Sequence, residues 1–347
     1  MPTEFDLLPE NAEELGLEPD PLPSVTRIDT VVDGRTVSAL RWTTESPRVV
    51  FLHGGGQNAH TWDSVLLSLG VPALAIDLPG HGHSQWREDG DYRPHLNAEA
   101  VAPVIRELAP DAELVVGMSL GGLTTISAAA RYPGLIKRAI LVDVSPESPK
   151  RVENLSKKDR GTVALVSGPD TFDDLDELIE LTAAAAPNRP KSSIRRGVIH
   201  NTRQTDDGRW RWRYDRFRKS IEPEPLWKDL SDSDTPLTLV RGGLSQFVAD
   251  EDIDTLRRHR PGLAVFTVDG AGHSVQSDAP SELARIVGDA LRSAQSTGLR
   301  GLFAILTVGP AHNLSTQIAG SMPSVLSSPS SCFARSVRMA AARHAVR

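Results

Sequence analysis

The sequence contains one cysteine, and its apolar runs are short. Cys332 has no second cysteine among the 347 residues, so an internal disulfide is excluded. The apolar run at 301–309 has nine residues, whereas a membrane-spanning helix needs about 20. Residues 1–24 carry seven acidic residues and no basic residue, which is unlike a secretory signal peptide. These features predict a cytoplasmic protein with no membrane span.

The chain also lacks an excess of positive charge. It has 38 Lys and Arg residues against 45 Asp and Glu residues, a formal net charge of −7. This balance argues against nucleic acid as the main partner. Hydrophobic residues make up 39% of the sequence, as in globular proteins with a substantial core. We therefore expect a globular protein that does not bind nucleic acid.

The alternation of apolar and polar segments predicts an α/β fold. Residues 25–42 read as two strands joined at Asp33-Gly34, a dipeptide that favours a hairpin turn. Further buried strands then alternate with helices, which indicates a mostly parallel sheet covered by helices on both faces. The pattern predicts eight strands, of which the first pair is antiparallel.

Three segments fall outside this alternation. Residues 1–24 are acidic and proline-rich, and we expect a loosely ordered leader. Residues 146–236 are far longer than a usual loop, so we interpret them as a helical lid inserted between two parts of the core, 25–145 and 237–294. Residues 295–347 contain no acidic residue and are rich in serine, which predicts a disordered tail.

One stretch of the insertion alternates aromatic and basic residues. Trp210 and Trp212 are separated by arginines, a period of two that is typical of a strand with different residues on its two faces. We expect both tryptophans to cover an apolar substrate pocket, while the arginines face solvent or pair with acids of the lid. Two other readings are an arginine that meets an acidic group of the substrate and a surface for single-stranded nucleic acid. The net charge disfavours the nucleic-acid reading.

Residues 113–133 place a serine between two glycines at a junction of strand and helix. Ligands of open parallel sheets bind at the carboxyl ends of strands, and a sharp strand-to-helix turn exposes its central residue there. Gly117 and Gly121 permit close backbone approach on both sides of Ser119. The following helix directs free N–H groups to the same point. Ser119 is therefore the candidate nucleophile and the Leu120 N–H a candidate oxyanion donor, although a glycine-rich packing turn would look similar.

Glycine-rich segments follow three other predicted strands. Residues 51–57, Phe-Leu-His-Gly-Gly-Gly-Gln, occupy the place where the serine motif requires a second oxyanion donor, and Gly55 is our candidate. Residues 77–84 read Asp-Leu-Pro-Gly-His-Gly-His-Ser. Residues 268–274 follow the last strand and contain His273, the candidate general base.

Together these segments resemble the α/β-hydrolase superfamily over about residues 25–294. The His-Gly loop, the Asp-Leu-Pro-Gly-His-Gly segment, the serine turn and the late Gly-His occur in the order and spacing of that family. The long insertion after the sixth strand also matches. The resemblance implies an α/β-hydrolase fold and a lidded serine esterase in which Ser119 and His273 act together without a cofactor.

The acidic partner of His273 has two candidates. In the superfamily the acid usually follows the seventh strand, but here Gln246 stands where related sequences often carry Asp. The next acid, Asp250, reads as the N-terminal cap of a helix. Asp143 ends the sixth strand, a position that some members of the superfamily use. We predict Asp143 as the acid and keep Asp250 as the alternative.

These residues predict a serine hydrolase that cleaves a small carboxylic ester or a related acyl substrate. A carbon–carbon bond hydrolase or a lactonase could use the same residues, and a ligand-binding relative without activity would explain the missing acid. Residue 119 is not a carboxylate, which disfavours an epoxide hydrolase or a dehalogenase. Zinc-ligand spacing and a phosphate-binding loop are absent from the sequence. We therefore expect no metal, no cofactor and a small-molecule substrate as partner, and leave the oligomeric state open.

Overall fold

An eight-stranded sheet forms the centre of the structure, a computed structural model that describes residues 3–18, 21–187 and 189–306. The strands are, in chain order, β1 (Val25–Val32), β2 (Arg35–Trp42), β3 (Val49–Leu52), β4 (Ala73–Ile76), β5 (Leu114–Met118), β6 (Ala139–Val142), β7 (Thr171–Phe172), β8 (Thr202–Gln204), β9 (Trp210–Trp212), β10 (Leu237–Gly242) and β11 (Ala264–Val268). The main sheet has the order β1-β2-β4-β3-β5-β6-β10-β11. Strand β2 runs antiparallel to both β1 and β4, and all other neighbouring strands of this sheet are parallel. The predicted eight-stranded, mostly parallel α/β sheet is confirmed.

Helices cover both faces of this sheet. In chain order, the described helices, including those of the insertion, are α1 (Leu8–Glu14), α2 (Asp63–Leu69), α3 (Pro94–Leu108), α4 (Leu120–Arg131), α5 (Ser148–Glu153), α6 (Lys157–Arg160), α7 (Leu175–Ala185), α8 (Lys191–His200), α9 (Pro223–Asp232), α10 (Asp250–His259), α11 (Val275–Asp278) and α12 (Pro280–Leu306). Short 3₁₀ turns lie at Ala59–Trp62 and Gly161–Ser167. Among the described residues, no helix combines the length and the apolar character that crossing a membrane requires.

The last helix differs from the sequence-based expectation. Helix α12 continues to Leu306, whereas the predicted disordered tail begins at residue 295. The remainder of that predicted tail, 307–347, lies outside the described residues.

The central strands separate two apolar layers. Successive side chains of a strand point to opposite faces. On β3, Val50 and Leu52 pack with α3 and α4, while Val49 and Phe51 pack with α2 and α12. All four residues are fully buried. This double coverage places the carboxyl ends of β5, β6, β10 and β11 at one edge of the core, where the candidate site lies.

The insertion 146–236 is only partly the helical lid that the sequence predicts. Strands β7, β9 and β8 form a three-stranded antiparallel sheet. With α7 and α8 this sheet encloses a small core of its own, made of Phe172, Leu178, Ile179, Ala186, Ile194, Val198, Trp212 and Tyr214. Helix α9 instead packs on α4 and adds Leu226 and Leu230 to the main core. The part of the insertion that forms a lid therefore ends before α9, because α9 belongs to the main core.

The N-terminal segment is folded where it is described, which corrects the prediction of a loosely ordered leader. Helix α1 buries Leu8 and Ala12 against the core. Its Asn11 accepts a hydrogen bond of 2.8 Å from Ser64 in α2. Glu10 and Glu14 pair with Arg196 of α8 at 3.0 and 2.6 Å. The acidic character that suggests disorder is neutralised by the basic lid, so α1 connects the core to the lid.

Two neighbouring arginines of α8 offer a matched test of this connection. The Arg196 side chain is 7% exposed and pairs with both glutamates, whereas the Arg195 side chain is 45% exposed and pairs with Glu10 alone at 3.3 Å. We expect Arg196→Met to lower the free energy of unfolding by about 1.5–3 kcal/mol, because buried charged hydrogen bonds are lost. Arg195→Met should cost less than about 1 kcal/mol. Urea unfolding measures both values, and equal effects would contradict the proposed role of Arg196.

Candidate active site

Ser119 occupies a strained turn between β5 and α4. Its φ of 49° and ψ of −117° lie in a region that residues other than glycine rarely adopt. The turn is tight on both sides. A Cβ atom on Gly117 would lie 2.5 Å from the Gly121 carbonyl oxygen, and one on Gly121 would lie 2.1 Å from the Leu52 carbonyl oxygen. The two glycines therefore allow the backbone to present Ser119, as the sequence pattern predicts.

Asp143 and His273 meet in the loops after β6 and β11. The Asp143 side chain is fully buried, and its Oδ2 lies 2.8 Å from His273 Nδ1. Asp143 Oδ1 accepts from the Gly242 N–H at 3.0 Å, and Oδ2 also accepts from the Ser245 hydroxyl. Because a carboxylate accepts these bonds, the Nδ1 atom carries the proton. His273 Nε2 is then left as an acceptor.

That Nε2 atom is held in place but has no partner. It is buried and makes no hydrogen bond to any described residue. The imidazole stacks on Phe247 with ring centroids 3.4 Å apart and planes 12° apart. A buried acceptor without a donor carries a desolvation cost, which is a common feature of sites that bind or react. The geometry thus leaves one basic nitrogen available for a proton.

The structure separates the two acid candidates. Asp250 pairs with Arg241 at 2.5 Å, and its side chain is 83% exposed. Asp250 is the first residue of α10, and the N-cap position is occupied by Ala249, whose N–H donates to the Asp252 side chain. The predicted capping role of Asp250 is therefore not observed. Gln246 donates to Asp159 of α6 at 3.3 Å. Of the two candidates, only Asp143 contacts His273.

Ser245 is a site residue that the sequence reasoning missed. Its hydroxyl donates to Asp143 and accepts from the Phe247 N–H at 3.2 Å. Ser245 lies in the loop after β10, where the superfamily usually carries its acid. It is the first hydroxyl residue after β10, and this position is the signal that could have identified it.

The loop 53–57 lies directly against the nucleophile. A Cβ atom on Gly54 would be 3.3 Å from the Ser119 Cβ. Two buried histidines orient the loop. His53 Nδ1 contacts the Gly54 carbonyl at 2.8 Å, and its Nε2 accepts from the Leu78 N–H. The Gly56 N–H donates to His81 Nε2 at 3.1 Å. Burial lowers the pKa of His53, and lowers that of His81 to about 3, which keeps both rings neutral as acceptors.

Both predicted oxyanion donors are unengaged. Among the described residues, no hydrogen bond is made by the Gly55 N–H. Leu120 is the first residue of α4, so its N–H has no acceptor within the helix. The positive end of the α4 dipole lies at the same position. Two free N–H groups therefore flank the turn that carries Ser119.

A cavity of about 150 Å³ lies between the core and the lid. Gly55 and Gln57 form part of its wall on the core side, and Trp212 and Tyr214 on the lid side. Ser119 and His273 are not part of this wall. Trp210 does not line the cavity either, contrary to expectation, because it packs against the lid's own core. Only one of the two predicted aromatic residues therefore faces the space for a ligand.

The arginines beside these tryptophans are already engaged. Arg209 pairs with Asp173 at 2.8 Å, as expected for lid acids. Arg211 lies over the Trp86 ring at 4.7 Å, and Arg213 donates to the Thr202 carbonyl at 2.9 Å. These contacts attach β9 to its surroundings. They do not form a free basic surface.

One group of side chains has metal-ligand character. Potential ligand atoms of His60, Asp63 and His200 lie within 4.8 Å of one another beside the cavity. Both nitrogens of His60 already contact carboxylates, Asp63 at 2.8 Å and Glu4 at 3.1 Å. Burial lowers the pKa of His60, but these carboxylates outweigh it and raise the pKa to about 9. With this raised pKa, His60 carries a proton on both ring nitrogens and forms an ion pair with the two carboxylates. A metal ion could bind His60 only by displacing one of these protons.

Comparisons with known proteins show what this chain is similar to. The esterase Rv0045c of Mycobacterium tuberculosis is 54% identical over 285 residues, which cover 82% of this chain and 94% of the relative. A crystal structure of that esterase matches with a TM-score of 0.76 at 50% identity, covering 84% of this chain and 98% of the other. The 2-(acetamidomethylene)succinate hydrolase of Mesorhizobium japonicum is 29% identical over 253 residues, 71% of this chain and 88% of the relative.

A family model matches most of the sheet, from β3 to β11. The model described as the alpha/beta hydrolase family matches residues 49–286, from β3 into α12. This range includes the serine turn, Asp143 and His273. The chain therefore belongs to the alpha/beta hydrolase family.

Proposed function

We propose that the protein is a serine esterase that hydrolyses small carboxylic esters through an acyl-enzyme. The observation that carries this proposal is the 2.8 Å contact between Asp143 and His273 Nδ1, which leaves Nε2 unpaired. The 54% identity to a protein named as an esterase supports the reaction class. The strained backbone of Ser119 is a further support, because such strain is usual at functional turns.

The proposed reaction has two halves, formation and hydrolysis of the acyl-enzyme, and each group acts in both. Ser119 Oγ attacks the ester carbonyl while His273 Nε2 accepts its proton, and Asp143 stabilises the resulting imidazolium. The tetrahedral oxyanion accepts hydrogen bonds from the N–H groups of Gly55 and Leu120. His273 then returns the proton to the departing alcohol. Water repeats the sequence on the acyl-enzyme and releases the acid.

The approach of Ser119 to His273 is part of this proposal. Catalytic hydrogen bonds are often long in unliganded enzymes and shorten in the substrate complex. We expect His273 Nε2 to contact Ser119 Oγ in that complex. The stacking of Phe247 on the imidazole favours this contact, because it restricts rotation of the His273 ring before the substrate binds.

The first experiment tests the nucleophile. We expect Ser119→Ala to lose labelling by a fluorophosphonate and turnover of p-nitrophenyl esters, because the attacking oxygen is absent, while the melting temperature stays close to that of the wild type. Ser231→Ala, on the exposed side of α9, is the matched control and should keep both activities. Full labelling of the Ser119→Ala protein would exclude Ser119 as the nucleophile.

The second experiment tests the acid. Asp143→Asn should lower kcat by roughly 10⁴, the loss expected when an amide replaces the orienting carboxylate and favours the wrong imidazole tautomer. Asp250→Asn removes only an exposed ion pair, worth at most about 1 kcal/mol of stability, and should keep kcat. Steady-state kinetics on p-nitrophenyl acetate measures both. Reversed effects would show that the acid follows β10.

The third experiment tests the cavity as the acyl site. Trp212 lines the cavity, while Trp210 packs beside it in the lid core. We expect Trp212→Leu to shift kcat/KM towards longer acyl chains, because it enlarges a small cavity. Trp210→Leu controls for the general loosening of the lid. A series of p-nitrophenyl esters from acetyl to octanoyl measures the preference, and identical profiles for the two variants would reject this role of Trp212.

A further inference from the structure

Asn201 makes a contact between the lid and the oxyanion loop. It lies between α8 and β8, and its Nδ2 donates to the Gly56 carbonyl oxygen at 2.7 Å. Its Oδ1 accepts from Asn58 Nδ2 at 3.1 Å. Its backbone N–H donates to Gly197 and its carbonyl accepts from the Arg213 N–H. The side-chain amide is therefore held in one orientation by the lid backbone and by the core.

The loop that it contacts is a β-turn. The Gln57 N–H donates to the Gly54 carbonyl at 3.2 Å, which closes the turn over residues 54–57. Gly56 has a φ of 74°, the value typical of the third residue of a type II turn. The turn has three peptide planes, and the plane between Gly54 and Gly55 carries the proposed oxyanion donor.

Different elements hold these three planes. His53 and the Gln57 N–H bind the carbonyl of the first plane, and His81 binds the N–H of the second. The third plane, between Gly56 and Gln57, is bound at its carbonyl by Asn201. That third plane also supplies the N–H that closes the turn on Gly54. A displacement of the third plane would therefore rotate the first plane and turn the Gly55 N–H away from the substrate.

We infer that Asn201 is a positioning residue that couples the seating of the lid to the geometry of the oxyanion hole. The inference rests on the proposed esterase function, because it concerns the donor that Gly55 supplies in that reaction. The core holds two planes of the turn with buried histidines, while the lid holds the third. The oxyanion hole is then complete only when the junction of α8 and β8 is in contact with the core.

The test replaces the donor without changing the shape of the side chain. Asn201→Asp can accept from Asn58 but cannot donate to Gly56. We expect kcat for p-nitrophenyl acetate to fall about 10- to 100-fold with KM within about threefold, less than the 10²–10³ that follows complete loss of an oxyanion donor. Asn201→Ala should show the same pattern without a new charge. Asn154→Asp is the matched control, because the exposed Asn154 side chain bonds, among the described residues, only to the Lys150 carbonyl.

A second measurement separates positioning from general damage. A trifluoromethyl ketone forms an oxyanion on the serine, so its affinity should fall by the same factor as kcat/KM, while the melting temperature changes little. Unchanged kcat and inhibitor affinity in both Asn201 variants would overturn the inference. A change in KM alone would also overturn it, because Asn201 would then only shape the cavity. Failure of the esterase proposal is recognised separately, by fluorophosphonate labelling that does not depend on Ser119.

Discussion

The contact between Asp143 and His273 depends on three neighbouring parallel strands. Asp143 follows β6, Gly242 ends β10, and His273 lies in the loop after β11. The strand pairing places Val142 beside Val240 and Gly242 beside Val268. A shift of the register by one residue would turn the side chains to the other face and separate the carboxylate from both the Gly242 N–H and the imidazole. The proposed chemistry therefore rests on the sheet register, which the buried apolar strands specify.

The same edge of the sheet carries two residues with a strained backbone. Ser119 and Asp143 both have φ near 49°, and both directly follow a central strand. Each residue leaves its strand in a sharp turn, and each is held by backbone bonds, Ser119 N–H to the Val142 carbonyl at 3.1 Å and Asp143 N–H to the Val240 carbonyl at 2.7 Å. The fully buried strands beneath can hold such turns against their conformational cost.

Polar contacts join the lid to the N-terminal helix and to the core. Arg196 joins α8 to α1, and Asn201 joins the end of α8 to the loop 53–57. Between these contacts lies the cavity. An acidic segment and a basic segment that are far apart in the chain thus neutralise each other beside the proposed site. This arrangement makes the position of α8 important for both stability and the proposed reaction.

The sequence by itself determined the features that obey local rules. These are the hairpin at Asp33-Gly34, where both residues have positive φ, the alternation that predicts the parallel sheet, and the glycines around Ser119. The tertiary structure decided the rest: the contact of His273 with Asp143 and not with Asp250, the hydrogen bond from Ser245 to Asp143, the separation of Trp210 from Trp212, and the folded N-terminal segment. The physical reason is distance along the chain. The contacts of Asp143 with His273, Asn201 with Gly56 and Arg196 with Glu14 join residues 130, 145 and 182 positions apart, and no local pattern encodes which of several similar side chains will meet across such separations.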